Sequence, residues 1–73
     1  MSARFYTTIE KPNAECTELR LVSNLVTGAL EAIKGTDVIL YFSSGEPEHW
    51  VFQGLSCSFG EHQNMIESYI FVR

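Results

Sequence analysis

A chain of 73 residues holds one small domain and has no room for a second. Hydrophobic residues make up 45% and charged residues 19%, a globular rather than a disordered composition. Nine Asp or Glu against five Lys or Arg give a net charge of −4, with the acids scattered singly, so neither a polycationic nucleic-acid binder nor a polyanionic mimic is indicated.

Residues 3 to 10 alternate, with Ala3, Phe5, Thr7 and Ile9 on one side and Arg4, Tyr6, Thr8 and Glu10 on the other. That period of two reads as a half-buried strand. Lys11-Pro12-Asn13 interrupts it, because proline cannot donate to a ladder and Asn13 suits a helix N-cap, with Glu15 in the first turn.

From about residue 14 to 34 the spacing changes. Leu19, Val22, Leu25, Val26, Ala29, Leu30 and Ile33 recur at intervals of three and four, opposite Arg20, Asn24, Thr27, Glu31 and Lys34. This predicts an amphipathic helix of about five turns, stopped by Gly35. Gly28 inside it weakens the helix by about 1 kcal/mol relative to alanine, or marks a close approach to the sheet.

Val38 to Phe42 is the longest apolar run, five residues, far short of a membrane span and suited to a central strand. Ser43 to Pro47 is a turn by composition. Residues 48 to 57 read as a third strand, weakened or bulged at Gly54, and a further turn surrounds Gly60. Residues 65 to 72 alternate again as a last strand, Ile66, Ser68, Ile70 and Val72 against Met65, Glu67, Tyr69 and Phe71.

The expected fold is therefore α+β: a two-layer β-α-β-β-β sandwich, one long helix on a four-stranded mixed or antiparallel sheet, forming a single domain over residues 1–73. The last three strands should form an antiparallel meander, with the first joining parallel to the second or the fourth. A helix crossing diagonally would give an antiparallel order that resembles cystatins. Their glutamine-valine-glycine hairpin signature is missing, so no inhibitory function is carried over from that likeness.

Chemistry-bearing motifs are sparse. Cys16, His49, Cys57 and His62 form a two-Cys, two-His set without the paired short spacings of a structural zinc site. Cys57 with His62 or His49 is the one candidate nucleophile–base pair, and no surrounding signature supports it. Ser43-Ser44-Gly45-Glu46 lacks the lysine and following helix of a phosphate loop. No catalytic, cofactor or metal site is assigned. The opening residues carry neither the apolar core nor the cleavage site of a signal peptide, which gives a cytoplasmic protein with reduced thiols as the expectation.

One helix covers one face of a sheet, so aromatics on the other face call for a partner. With Phe5, Ile9, Val38, Leu40, Phe42, Ile66, Ile70 and Val72 toward the helix, Tyr6, Ile39, Tyr41, Tyr69 and Phe71 point away from it. On the third strand, Trp50 and Phe52 oppose Val51, Gln53 and Leu55, and either side fits the core. Tyr6, Tyr41, Tyr69 and Phe71 would also suit base stacking, but only Arg4 and Arg73 supply nearby cations, so no nucleic-acid or membrane partner is expected. The expectation is an acidic protein-interaction module, an adaptor, regulator or inhibitor, that binds another protein or itself as a homodimer. Its contact residues would be Tyr6, Ile39, Tyr41, Tyr69 and Phe71, with the turn Glu46, Glu48, His49 and Trp50. The alternative is a small-molecule-binding module with a pocket between helix and sheet or across a dimer.

Overall fold

The computed structural model describes residues 3–28, 34–62 and 64–73. They form six strands: β1 (Ala3–Thr7), β2 (Glu18–Val22), β3 (Val26–Gly28), β4 (Asp37–Tyr41), β5 (Glu48–Phe59) and β6 (Met65–Val72). A single 3-10 turn, Ser23–Leu25, joins β2 to β3. All six strands belong to one sheet of order β2-β6-β5-β4-β1-β3. β1 and β4 run parallel and every other pair is antiparallel.

The two edge strands, β2 and β3, are consecutive in the chain and three residues apart, so the sheet must curl until its edges meet. Side-chain distances show the same curvature. β1 and β6 lie three places apart in the sheet, which at about 4.8 Å per strand would separate them by roughly 14 Å if flat. Instead the rings of Phe5 and Phe71 are 5.3 Å apart, edge to face. Phe52 stacks on Phe5 at 5.6 Å and meets Phe71 at 5.6 Å. The core is the inside of this roll: Phe5, Leu19, Leu21, Val26, Val38, Leu40, Trp50, Phe52 and Phe71.

The expected long helix over residues 14 to 34 is absent from the described residues, and the α+β sandwich is replaced by a nearly all-β curled sheet. Alternation outcompetes the three-to-four spacing. Leu19 and Leu21 are buried while Glu18, Arg20 and Val22 are exposed, the signature of a strand with one face inward. Leu21, which the helical stripe leaves out, is thereby a core residue. β-Branched Val22, Val26 and Thr27 suit the pleated surface better than a helix turn. Asn13 does cap backbone donors, but in a turn: its side-chain oxygen accepts from the Glu15 N–H at 3.0 Å and its carbonyl from the Cys16 N–H at 2.9 Å. Ala29, Leu30, Glu31 and Ile33 of the expected helix lie outside the described residues.

Gly28 approaches a backbone closely, but within the ladder. It pairs with Phe5, has φ of 147°, and a Cβ there would collide with the Arg4 carbonyl oxygen. The expected strands at residues 38 to 42, 48 to 57 and 65 to 72 are present as an antiparallel meander, and β1 joins the first of them in parallel.

Candidate interaction surface

The face assignments made from alternation are reversed along β6. On β6 it is Phe71 and Tyr69 that turn inward, with Phe71 fully buried and the Tyr69 ring 5.9 Å from Phe5 and 6.0 Å from Phe52. Ile66, Ile70 and Val72 take the other face and are half-buried. Without the expected long helix among the described residues, the division into helix-facing and free sides no longer applies, nor does a pocket between that helix and the sheet.

Tyr6, Ile39, Tyr41 and His49 do come together, on the outside of the roll. Tyr6 pairs with Tyr41 across β1 and β4, their rings stacked at 4.8 Å, and Ile39 sits in register between Arg4 and His49. Tyr6 and His49 are exposed and the other two half-buried.

Glu48 and Trp50 instead belong to a closure at one end of the roll, in which Trp50 is buried and Glu48 half-buried. Trp50 is buried beneath the Arg73 guanidinium, 4.3 Å from its ring, and donates from Nε1 to Glu48 Oε1 at 3.3 Å. Arg73 donates to Glu48 Oε1 at 2.9 Å, to the Asn13 carbonyl at 2.9 Å and to the Cys16 carbonyl at 2.8 Å. Lys11 approaches Glu48 Oε2 at 3.8 Å. The cluster pins the loop between β1 and β2 to the end of β6. Glu46 stays exposed in the turn before β5.

The most exposed apolar surface lies elsewhere. β5 is 12 residues long, while its neighbour β4 has five and pairs only from Glu48 to Val51. On the other side, β2 accompanies β6 from Val72 only as far as Ser68. Beyond these points β5 and β6 continue as a two-stranded arm, from Cys57 opposite Glu67 to Phe59 opposite Met65, with Leu55 opposite Tyr69 at its base. Gly60 donates to the Asn64 carbonyl at 2.8 Å near its tip.

A β-bulge decides which side chains the arm shows. Phe52 opposes Phe71 and Gly54 opposes Ile70, so Gln53 is an extra residue and Gly54 takes φ of 109°. Residues 52 and 55 would otherwise point to opposite faces. The bulge puts Leu55 on the same side as Phe52, and Cys57 and Phe59 follow by alternation. The row opposite is Tyr69, Glu67 and Met65. The inward-facing row, apolar except for Glu67, therefore runs out of the roll onto the arm. Leu55, at the base of the arm, is 49% exposed, and on the arm itself Met65 is 61% and Phe59 79% exposed.

Sequence reasoning passed over Phe59 and Met65 and left Leu55 undecided. The available signal was the absence of any Asp, Glu, Lys or Arg from His49 to Gly60, the longest such stretch in this acidic chain.

Both cysteines are free: Cys57 is exposed on the arm, and half-buried Cys16 donates from Sγ to the Glu18 carbonyl at 3.2 Å. Among the described residues no group of three or more His, Cys, Asp or Glu is placed to hold a metal ion, and no helix is long and apolar enough to cross a membrane. No family model matches the chain, and neither a curated protein nor a solved structure matches it.

Proposed function

We propose that this protein is a small interaction domain whose contact surface is the β5–β6 arm, with the curled sheet as a rigid base. The observation that carries this reading is the row of Leu55 at the base of the arm with Phe59 and Met65 on it, exposed on one face and continuous with the core through Tyr69. Those three side chains expose on the order of 350 Å² of apolar area, within the range of patches that are often functional on small monomers. A solvated hairpin of this kind ordinarily shows polar residues on both faces, since an isolated two-stranded ribbon gains little from an unpartnered apolar side. Rigid support by the sheet also lowers the entropy lost when a partner docks.

A photoreactive residue in place of Phe59, introduced into the full chain in cells, tests the reading. It should give discrete cross-linked species that a second copy bearing the same group at exposed Glu10 does not give. Leu55→Ser with Met65→Ser should abolish them. Equal labelling from both positions, or labelling indifferent to the Ser substitutions, overturns the assignment.

A further inference from the structure

Among the described residues the arm presents an unpaired backbone edge as well as an apolar face. Among the described residues, no strand pairs with β5 on the side away from β6 beyond the contacts of Val51 and Phe52 with the segment entering β4. The ladder after the bulge that has no partner on this side, among the described residues, covers residues 55 to 59, Leu-Ser-Cys-Ser-Phe. Such edges in soluble proteins are usually blocked by lysine, proline or an inward charge, because an open edge recruits another strand. This one carries none, and no charged residue lies between Val51 and Gly60. In a chain of net charge −4, the uncharged strand is where two copies approach with least repulsion.

We infer that two copies of the chain pair through this edge, β5 antiparallel to β5 of a second copy, on a two-fold axis at Cys57. The inference rests on the interaction reading above and names its partner. Antiparallel pairing about an axis normal to the sheet sets residues of the same face opposite each other, so the axis falls on a residue. Centring the five free residues on themselves selects Cys57. Leu55 then faces Phe59 of the second copy, and Ser56 faces Ser58. Adding the observed pairs within each arm gives a cross-strand row of Tyr69, Leu55, then Phe59 and Met65 of the second copy, repeated symmetrically. Every member of that row is apolar or aromatic. The two Glu67 carboxylates stand three strands apart, roughly 14 Å, beyond the screening length of about 8–10 Å at ordinary salt.

The contact is small. Edge and side chains together cover on the order of 800–1,000 Å² summed over both copies, below the usual 1,200–2,000 Å² of a stable complex. A contact of this size fits a weak, reversible dimer, with arms paired into a four-stranded ribbon and the two rolls at opposite ends.

Sedimentation of the purified chain across the micromolar range should show a reversible monomer–dimer equilibrium. In a Cys16→Ser background, a short bismaleimide should join Cys57 to Cys57 at concentrations where dimer is present. Cys57→Ser should leave the equilibrium in place, while Cys57→Lys sets two ammonium groups face to face and should raise the dissociation constant at least tenfold in a protein that remains folded by circular dichroism. A monomer throughout the range overturns the inference, as does a dimer whose Cys57 thiols do not cross-link or that Cys57→Lys leaves unchanged. Any of these combined with specific heterologous labelling from position 59 refutes self-pairing and leaves the arm as the interaction surface. The same failures without such labelling refute both.

Discussion

Arg73→Ala should lower stability more than any other substitution of a charged residue in this chain. The guanidinium makes three charge-assisted hydrogen bonds of 2.8–2.9 Å and covers the Trp50 ring at 4.3 Å, with about one-fifth of its side chain exposed. Hydrogen bonds to charged groups contribute about 1.5–3 kcal/mol each when shielded, and a cation–π contact about 0.5–2. Against that stand partial solvent screening and the roughly 2 kcal/mol of side-chain entropy that ordering an arginine costs. The net expectation is a loss of about 2–4 kcal/mol, a large share of the roughly 4–11 kcal/mol available to a domain of this size. Trp50 is the single tryptophan, so its fluorescence reports directly on the affected end during urea unfolding. With an m-value near the lower end of the usual range, about 1 kcal/mol/M, the midpoint should drop by roughly 2–4 M. Arg73→Lys keeps the charge without the fork and should recover less than half of the loss. Combined with Glu48→Gln, the double variant should lose less than the sum of the single ones. An Arg73→Ala loss under about 0.5 kcal/mol would show that the loop between β1 and β2 is held by other means, and the closure described for this end would be wrong.

Other substitutions separate core from surface. Phe71→Ala should cost about 3–5 kcal/mol, whereas Phe59→Ala, four-fifths exposed, should change stability by less than about 0.5 kcal/mol while reducing association; equal losses in urea unfolding would refute the placement of the arm. Gly28→Ala should destabilise by about 2–4 kcal/mol, since its backbone angle and the nearby Arg4 carbonyl oxygen both exclude a Cβ; a neutral outcome in thermal unfolding would mean that β3 does not pair with β1 as described. Native-state labelling with a thiol reagent should modify Cys57 quickly and Cys16 slowly, followed by mass spectrometry of the peptides, and the reverse order would contradict their exposure.

The meander of β4, β5 and β6 was legible because each strand repeats a clear pattern between turns rich in glycine, serine or asparagine. The helix was misread because residues 19 to 26 satisfy two periods at once. Leu19, Val22 and Val26 fit a helical stripe, and Leu19 with Leu21 fits a strand. Only the β-branched content and the need to bury Leu21 against β6 favour the second, and those depend on partners far along the chain. The same limit hid the identity of the core aromatics. Strand alternation grouped Tyr69 with Phe71 correctly, but which group faces inward follows from the curl of the whole sheet. Leu55 was undecidable without the bulge at Gln53 and Gly54, since one inserted residue reverses the face of everything after it. Tyr6, Ile39 and Tyr41 share one face by alternation because β1 and β4 are regular, whereas His49, assigned to the turn, joins them only through its pairing with Ile39.

The order in which strands meet along the chain has a kinetic consequence. β5 and β6 form the longest ladder joined by a short loop, whereas β2 with β6 and β1 with β4 must bring distant segments together. Hairpins close in about 1–10 μs and non-local pairings much more slowly, so the arm and its base form the earliest organised piece of the molecule. At that moment β5 offers its whole length as a template, not only the five residues left bare in the finished fold. Encounters between immature chains then compete with the arrival of β4 on the same strand. Refolding should therefore slow and lose yield as concentration rises, and a single lysine at position 57 should restore both.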